Sequence, residues 1–393
     1  MSSIDRMQKA ILEEKLGGWL FCNFSHRDSL TDTLLSLDPN AISSRRWFYI
    51  IPASGIPVKI VHAIEKSILS SLPGDDLCYS TREGLVSCIS RFSGLRMAVL
   101  SDPFIQVLST MDAASWNLIR ACGIDTVSAA PLVQRIKGIL DEKGRASHEK
   151  AAHALYGIVH DSWRLVQDAF RNGTPVSEGD IQDFMLSRFE EEGMITDHPP
   201  IVACGHNAGD PHYTVPGLPR TETGRGAILE KDRVVQFDLW GKPADGIYAD
   251  ISWIGFCGKA VPPEIQRRFT IVIAARDLVK KAIESSIGRG EQITGSELDA
   301  LVRTFLLENC PSDSVRHRTG HGIDTDCHGS GVNLDSVEFP DNRYLMEGSC
   351  FSVEPGIYFT DSGFRTEIDI YIQNGKPVIS GGEIQKSLLL LED

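Results

Sequence analysis

The segment that organises this chain is residues 238–250, DLWGKPADGIYAD. A short apolar run, residues 234–237, precedes it, and a second one, residues 251–254, follows it. Asp238 and Asp250 therefore stand on strand-like segments joined by a turn that contains glycine and proline. If the segments pair as a hairpin, the two carboxylates approach each other. Like charges that are close repel unless protons or a metal ion lie between them, so we expect further ligands elsewhere in the chain.

The composition excludes several classes of protein. With 393 residues and 42% apolar residues, the chain fits a globular protein of two or three domains. No run approaches the roughly 18 apolar residues of a membrane span, and the polar N-terminus has no signal-peptide core. The net charge of -14, without a basic cluster, argues against nucleic-acid binding. The nine scattered cysteines include no CxxC pair, which argues against a disulfide framework. We expect a cytoplasmic protein that binds neither nucleic acid nor membrane.

The first part of the chain alternates strand-like and helix-like segments, which predicts an α/β domain. Within it, residues 47–52 and 57–62 flank a turn and predict a hairpin. The charged, glycine-containing segment 141–145 is typical of a domain boundary. We therefore predict an N-terminal domain of residues 1–143, in which no chemical constellation is visible, and a second domain of residues 147–393.

The second domain repeats one order of elements. Two helices followed by strand-like segments occur first between residues 147 and 258 and again after residue 262. The helices are predicted to begin at Ser147, Ser177, Pro263 and Thr294, the last with Glu297 in a capping box. Two such halves predict an internal duplication, in which a pseudo-twofold axis sets the sheets side by side with the helices outside.

Charged side chains gather in the second half, where the two sheets would meet. Glu354 interrupts an apolar run directly before Pro355-Gly356, and Glu367 and Asp369 alternate along a strand-like segment. His321 lies between two glycines. Each residue alone has an ordinary explanation as a turn former or a loop residue. Together, four carboxylates and one imidazole indicate a cation site, because charges inside strands are costly unless they are paired.

At these residues the chain resembles the pita-bread metallopeptidases, the family of methionine aminopeptidase, aminopeptidase P and prolidase. The shared contexts are residues 246–250, 320–323, 354–358 and 365–367, and the resemblance covers residues 147–393. The domain before it resembles, on weaker motifs, the creatinase-type domain of the proline-specific members. The resemblance implies an α/β (α+β) fold, with a creatinase-like N-terminal α/β domain followed by a pseudo-twofold pita-bread catalytic domain.

The same resemblance implies two divalent metal ions. Asp238 would bind one ion, His321 and Glu354 the other, and Asp250 and Glu367 would bridge them. An oxygen-rich set with one imidazole suits manganese, with cobalt and zinc as alternatives. Two such ions can activate a shared water as hydroxide near neutral pH.

Further residues match catalytic positions of the family. Glu354 would also shuttle protons. His212 resembles the proton-donating histidine, with the nearby His206 as the alternative. His328 resembles the histidine that stabilises the tetrahedral intermediate, and Arg365 resembles an arginine that orients the site.

One cysteine lies close to these histidines in the sequence. Cys327 could be a thiol ligand, but with no second cysteine nearby a buried small hydrophobe is the favoured interpretation.

The resemblance implies a metal-dependent exopeptidase that hydrolyses Xaa-Pro bonds in proline-containing peptides. It also implies a homodimer. Dipeptidase and aminopeptidase activities stay open. A dipeptidase should hold the substrate carboxylate with an arginine. Arg343 is a candidate, but the position expected from the family holds Pro340, which favours the aminopeptidase. The alternatives are a creatinase-like amidinohydrolase and a non-catalytic pita-bread binding protein, both of which typically lack the full ligand set.

The chain departs from the family pattern in two places. Asp238 and Asp250 are one residue further apart than usual, so the turn near residues 242–244 has to absorb one residue. Residues 221–229 are predicted to be an inserted surface loop. Neither departure removes a ligand.

Overall fold

The computed structural model describes residues 2–217 and 225–392. The chain divides into two compact units, Met1–Lys137 and Gly138–Asp393. The predicted boundary at residues 141–145 lies just inside the second unit, at the start of its first helix. Residues 221–224 of the predicted insertion lie outside the described residues. No helix in the described ranges is long and apolar enough to cross a membrane.

The first unit is a six-stranded mixed sheet with helices on both faces. Its strands are β1 (Gly18–Asn23), β2 (Trp47–Pro52), β3 (Val58–His62), β4 (Asp75–Tyr79), β5 (Arg96–Val99) and β6 (Asp125–Ser128), in the order β4-β3-β2-β1-β5-β6. Its helices are α1 (Ser3–Glu13), α2 (Ser29–Leu35), α3 (Arg82–Ser90), α4 (Ala113–Ala121) and α5 (Ala130–Ile136). The predicted hairpin is present as the antiparallel pair β2–β3.

Strand β1 shows why both faces of this sheet are buried. Trp19 and Phe21 pack into one apolar cluster, whereas Leu20 and Cys22 pack into another on the opposite face. Because side chains alternate along a strand, a continuous apolar run fills two helix–sheet layers at once. The α/β layering predicted for this part of the chain is therefore confirmed.

The second unit carries the duplicated order of elements. Its first half comprises α6 (Glu142–Asn172), α7 (Glu178–Glu191), β7 (Met194–Ile195), β8 (Ile201–Cys204), β9 (Val234–Pro243) and β10 (Ala249–Phe256). Its second half comprises α8 (Pro263–Gly288), α9 (Gly295–Asn309), β11 (Cys350–Val353), β12 (Gly356–Tyr358), β13 (Gly363–Arg365), β14 (Ile368–Gln373), β15 (Lys376–Ile379) and β16 (Leu389–Leu390).

Each helix pair covers one sheet. Helices α6 and α7 share an apolar cluster with β8, β9 and β10, and α8 and α9 share another with β11 and β14. The two sheets meet at β10, where the backbone N–H of Glu367 donates to the carbonyl oxygen of Ser252 over 3.0 Å. The sheets thus lie side by side with helices outside, as predicted.

Two local predictions need correction. Helix α6 begins at Glu142, not after Ser147, because the side chain of Asp141 accepts from the backbone N–H of Gly144 and caps the helix nearly two turns earlier. Glu367 does not share a strand with Asp369, because it lies in the break between β13 and β14.

Candidate metal centre

The β9–β10 hairpin places two of the predicted ligands. Its antiparallel ladder is unbroken, and it sets Asp238 opposite Ser252 and Asp250 opposite Trp240. Since side chains alternate along a strand, these four residues share one face of the sheet. The connection occupies residues 242–248, so the extra residue is absorbed there and leaves the register intact.

His321 is held by backbone that lies outside the regular strands. The flanking glycines make only isolated bridges, with Leu334 and Phe351. A Cβ at Gly320 would lie 2.0 Å from the carbonyl oxygen of Ser352, so only glycine allows this close approach. The backbone N–H of Ser352 donates to the carbonyl oxygen of His321 over 2.8 Å, which fixes the histidine beside β11.

The two glutamates stand at strand ends. Glu354 follows β11 directly, and its backbone N–H donates to the carbonyl oxygen of Thr319 over 2.7 Å. Glu367 precedes β14 and is tied to β10 by its own backbone N–H. Both carboxyl groups therefore face the hairpin from the second half of the unit.

All five predicted ligands converge at the junction of the sheets. His321 Nε2 lies 3.6 Å from Asp250 Oδ2 and 3.4 Å from Glu354 Oε1. Two overlapping sets, Asp238–Asp250–Glu367 and His321–Glu354–Glu367, each place one ligand atom per residue within 4.8 Å of the others. The centre is buried, with Glu354 the most exposed at 16% of its side chain.

The electrostatics of this cluster are those of a site that requires positive charge. Burial, followed by the neighbouring Asp238 carboxylate, raises the pKa of Asp250 well above its usual range. Burial, followed by the charge of Asp250, also raises the pKa of Glu367 well above its usual range. Burial raises the pKa of Glu354 to about 7, although Arg365 opposes the shift. Burial and then His328 lower the pKa of His321, which keeps the imidazole neutral, as a metal ligand must be.

The donor atoms fit a pair of divalent cations. Asp250 Oδ1 and Glu367 Oε1 are buried and find no hydrogen-bond partner within the described ranges. Orphaned buried acceptors are costly, and these two belong to the residues expected to bridge the ions. His321 Nδ1 lies 3.3 Å from the carbonyl oxygen of Gly322, so Nε2 is left to face the carboxylates.

Arg365 ties Asp238 to the rest of the site. It pairs with Asp238 Oδ2, and its Nε donates to Ser252 Oγ over 3.1 Å. The Ser252 hydroxyl lies 2.7 Å from Asp238 Oδ1 and 2.9 Å from Glu367 Oε2, so it links the two halves of the centre. Sequence reasoning missed Ser252, although its pairing opposite Asp238 in the predicted hairpin could have indicated it.

A second missed residue, His317, orients Tyr358. His317 Nδ1 lies 2.7 Å from the carbonyl oxygen of Arg318, and its Nε2 lies 2.7 Å from the Tyr358 hydroxyl. Burial and then the charge of Arg365 lower the pKa of His317 to about 3, so the ring is neutral and accepts from Tyr358. Tyr358 in turn accepts from Arg365 over 3.1 Å.

A cavity of about 590 Å³ opens onto the cluster, a size suited to a small organic ligand. It is lined by all five predicted ligands, by His212, His328 and Arg365, and by Cys327. His206 is not among the described residues that line it, which favours His212 of the two predicted alternatives. The ring of His328 lies 4.3 Å from that of His321, centroid to centroid.

Part of the wall of this cavity is apolar. It includes Pro199, Pro200, Pro211, Tyr213, Val215 and Trp240. The Trp240 indole N–H donates to Asp197 Oδ1 over 2.6 Å, which holds the ring in place. Arg343 does not line the cavity, because its guanidinium binds Asp341 and the carbonyl oxygens of Ser330 and Gly331.

The segment that carries His212 is organised by Glu178, a third residue that sequence reasoning missed. This carboxylate is fully buried in the first turn of α7. It accepts from the backbone N–H groups of Cys204 and Ala227, each over 2.7 Å, and from the hydroxyl of Tyr213 over 2.7 Å. Only the folded chain shows that these donors surround one carboxylate.

A family model described as metallopeptidase family M24 matches residues 144–374. The chain belongs to this family. Among curated relatives, it is 29% identical to a putative dipeptidase of Bacillus subtilis, over 64% of this chain and 62% of the relative. It is 32% identical to an Xaa-Pro dipeptidase of Lactobacillus helveticus, over 52% of this chain and 50% of the relative. The chain thus spans about half to three-fifths of these two relatives.

Solved structures with this fold include a dipeptidase PepE from Mycobacterium ulcerans, with a TM-score of 0.73, 18% identity and coverage of 99% and 97% of the two chains. A prolidase from Thermococcus sibiricus matches with a TM-score of 0.65, 20% identity and full coverage of both chains. The N-terminal domain of the FACT complex subunit SPT16 from chickpea also matches, with a TM-score of 0.65, 10% identity and coverage of 99% of both chains. The predicted two-domain fold is confirmed, but fold alone does not assign the chemistry.

Proposed function

We propose that this protein is a metal-dependent exopeptidase that hydrolyses Xaa-Pro bonds. The observation that carries the proposal is the buried cluster of four carboxylates and one imidazole at the base of the cavity, with orphaned oxygens on Asp250 and Glu367. Family membership and the names of the relatives support the same reaction class.

Five residues would hold two divalent cations, with the same roles that the sequence resemblance implies: Asp238, Asp250, His321, Glu354 and Glu367. Such a pair polarises a peptide carbonyl and lowers the pKa of water. Taken alone, this oxygen-rich set favours manganese over softer ions. Arg365 and Ser252 hold the Asp238 carboxylate in orientation, so that it presents its oxygens to the centre.

Three side chains at the cavity would handle protons and developing charge. Glu354 is the most exposed carboxylate of the cluster, which suits a group that accepts a proton from the cavity and passes it on. His328, beside His321, can donate to the oxyanion of a tetrahedral intermediate. His212 is exposed on the cavity wall and can protonate the departing amine.

The apolar wall supports a preference for proline. The nitrogen of an Xaa-Pro bond carries no N–H, so the wall around it needs no hydrogen-bond acceptor. Prolines and the fixed indole of Trp240 offer flat apolar surfaces to a pyrrolidine ring.

The predicted alternatives lack support from the site. A creatinase-like amidinohydrolase or a non-catalytic binding protein is expected to have lost part of the ligand set, whereas all five residues are present and converge. Arg343 is engaged in a buried pair with Asp341, so it does not serve as the carboxylate-binding arginine of a dipeptidase. Dipeptidase and aminopeptidase activities both stay within the proposal.

The primary test is hydrolysis by protein that has been stripped with a chelator and reloaded with manganese, cobalt or zinc. We expect release of the first residue from Xaa-Pro or Xaa-Pro-Xaa peptides only after metal is restored. A comparison of dipeptide with tripeptide separates the two exopeptidase activities. Inactivity with and without metal, together with no bound metal on elemental analysis, would refute the proposal.

Replacement of Glu354 by alanine should abolish turnover, with a loss of at least about 10³-fold in kcat, because it removes both a ligand and the proton acceptor. Circular dichroism checks that the variant still folds. His206→Ala is the matched control, since this exposed histidine does not line the cavity, and it should keep full activity. Full activity in the Glu354 variant would remove this residue from the mechanism.

Three further features belong to the proposal. The first unit would be the creatinase-like N-terminal domain predicted for residues 1–143. The protein would be a homodimer, which light scattering on the purified chain can test. It would reside in the cytoplasm, which agrees with nine cysteines that are all free of disulfides. Fractionation of cells that express the protein tests its location.

A further inference from the structure

Cys327 belongs to a small apolar cluster beside the metal site, but its sulfur lies against a carboxylate of that site. It is 3% exposed and lines the cavity, and its Sγ lies 3.1 Å from Asp250 Oδ2. Cys327 Sγ, a ring nitrogen of His321 and a carboxylate oxygen of Asp250 all fall within 4.8 Å of one another. The sulfur therefore lies close enough to two expected ligands of one ion to be a further donor atom for it.

A second observation, made on the same carboxylate, also indicates a bound cation. The side chain of Asp250 is 7% exposed. Its Oδ2 accepts a hydrogen bond from the Cys327 thiol, but its Oδ1 has no hydrogen-bond partner among the described residues. The thiol hydrogen bond thus leaves this carboxylate half satisfied. A cation that joins the sulfur, the imidazole and the carboxylate would satisfy all three groups.

The local backbone fixes Cys327 in this orientation. Asp324 accepts from the backbone N–H of Asp326 over 2.9 Å and from that of Ser330 over 2.7 Å, so its carboxylate closes the turn around the cysteine. The backbone N–H of Gly329 donates to the carbonyl oxygen of Gly322 over 2.7 Å. The thiol is thereby held towards the carboxylates and not towards solvent.

We propose that Cys327 is a sixth ligand of the metal centre and binds, as a thiolate, the ion held by His321 and Asp250. This inference rests on the proposed function, because it requires that the cluster binds metal. On coordination the S–H bond breaks, the proton leaves to solvent, and the sulfur lone pair forms the bond to the ion.

The distances agree with this assignment. Bonds to zinc of about 2.0–2.3 Å place neighbouring donor atoms about 3.0–3.7 Å apart when the angle between the bonds lies between about 90° and 120°. The observed separations are 3.1 Å from Cys327 Sγ to Asp250 Oδ2 and 3.6 Å from His321 Nε2 to the same oxygen. Small adjustments of side chains would therefore suffice for binding.

A sulfur ligand changes the expected metal. Thiolate favours zinc and other thiophilic ions, whereas carboxylates alone favour manganese or magnesium. The centre should therefore take zinc or cobalt in preference to manganese, in contrast to the preference of the five oxygen and nitrogen ligands by themselves.

The direct test is X-ray absorption spectroscopy of the full chain loaded with zinc, together with the near-ultraviolet spectrum of the cobalt form. We expect a sulfur scatterer at about 2.3 Å and a thiolate-to-cobalt charge-transfer band. Both signals should vanish in Cys327→Val. The matched control is Cys350→Ser, which alters a buried cysteine of the same apolar cluster whose Sγ lies 3.6 Å from His148 Nε2, and which should keep both signals.

Metal competition gives an independent measurement. The preference for zinc over manganese should fall by at least about tenfold in Cys327→Val and stay unchanged in Cys350→Ser. Cys327→Ala repeats the experiment with a smaller side chain, so a packing defect of the valine variant does not decide the result.

The outcomes distinguish the inference from the proposed function. Wild-type protein that binds two ions per chain without a sulfur scatterer overturns the role of Cys327 and leaves the metallopeptidase proposal standing. Wild-type protein that binds no divalent ion at all overturns both.

Discussion

The two halves of the metal centre are built in different ways. In the first half, Asp238 and Asp250 stand on an uninterrupted antiparallel ladder, and the register alone brings them to one face. In the second half, His321, Glu354 and Glu367 all lie outside regular strands. Regular pairing positions side chains through a repeating backbone geometry, whereas irregular backbone has to be fixed by specific close contacts.

Buried polar side chains supply those contacts in the second half. Asp299 on α9 accepts from the backbone N–H and the hydroxyl of Thr319 over 2.8 and 2.6 Å, two residues before His321. Its other oxygen accepts from the backbone N–H of Ser336 over 2.8 Å. The buried Arg343–Asp341 pair holds the carbonyl groups that follow in the same loop. The loop that carries His321 is therefore held by buried charged side chains, whereas the hairpin is held by its backbone ladder.

The largest difference in stability between the two halves should appear when one glycine in each half is replaced by alanine. Gly320→Ala would drive a Cβ to 2.0 Å from the carbonyl oxygen of Ser352, so backbone must move and His321 moves with it. We expect a loss of about 4 kcal/mol in the free energy of unfolding, measured by urea denaturation, together with loss of metal binding.

Gly241→Ala is the matched change in the hairpin. Its Cβ would meet the flexible end of Met194 at 2.9 Å, which can turn aside, and the carbonyl oxygen of Ile195 at 3.2 Å, which needs a shift of only a few tenths of an ångström. We therefore expect a loss of about 1 kcal/mol. Equal losses in the two variants would contradict the difference between the halves.

A smaller contrast should follow from removal of one polar anchor in each half. Asp299→Asn replaces one carboxylate oxygen, which accepts hydrogen bonds, by an NH₂ group that would face the same N–H and O–H donors. We expect a loss of about 2 kcal/mol in the free energy of unfolding and of about 10- to 100-fold in metal affinity. Ser252→Ala in the hairpin should lower metal affinity by a similar factor but cost only about 1 kcal/mol, because the ladder still holds the strand.

Isothermal titration of metal into each variant, alongside urea denaturation, separates the two quantities. A loss of stability in Ser252→Ala as large as that in Asp299→Asn would show that the hairpin also depends on its polar contacts.

The smallest expected effect is the pH dependence of stability that comes from Glu354, in the second half of the centre. In metal-free protein, burial raises the pKa of Glu354 from 4.5 to about 7, so the folded state binds its proton more tightly than the unfolded state does. This contribution to stability is fully present below pH 4.5 and is lost as the pH rises through about 7. Metal-free protein should therefore melt a few degrees lower at about pH 8 than at about pH 5.

Metal should reverse this trend, because binding requires deprotonated ligands, so stabilisation by added zinc should grow over the same pH range. Thermal melts with chelator and with zinc measure both trends. Glu354→Gln cannot titrate at this position and should make the metal-free profile less steep, while Asp250 and Glu367 keep part of the slope. A metal-free melting temperature that instead rises with pH would contradict the assignment.

Much of the centre could be predicted from residue types and spacing. The two aspartates of the hairpin follow from alternation along strands, and the predicted helix start at Ser177 and capping box at Thr294 correctly mark the starts of α7 and α9. The start of α6 was wrong because Asp141 competed with Ser147 as a cap, and one local signal does not decide between them. Cys327 is buried as predicted, but it lies against a carboxylate.

The residues that sequence reasoning missed share one property, which is that their partners are far away in the chain. Ser252 contacts Glu367, Glu178 contacts Tyr213, and His317 contacts Tyr358 through side chains whose meeting depends on packing. Such contacts leave no periodic signal, since neither residue of the pair sits in a pattern that requires the other.

The sequence by itself determined the chemical types of the ligands, the hairpin that joins the first two and the order of the helices, because these depend on local periodicity and capping. Only the tertiary structure decided that the two sheets meet at β10, that a cavity opens there and that the oxygens of Asp250 and Glu367 remain unpaired. The physical reason is that convergence of ligands more than 100 residues apart is fixed by the packing of helices on two sheets, and no single segment encodes it.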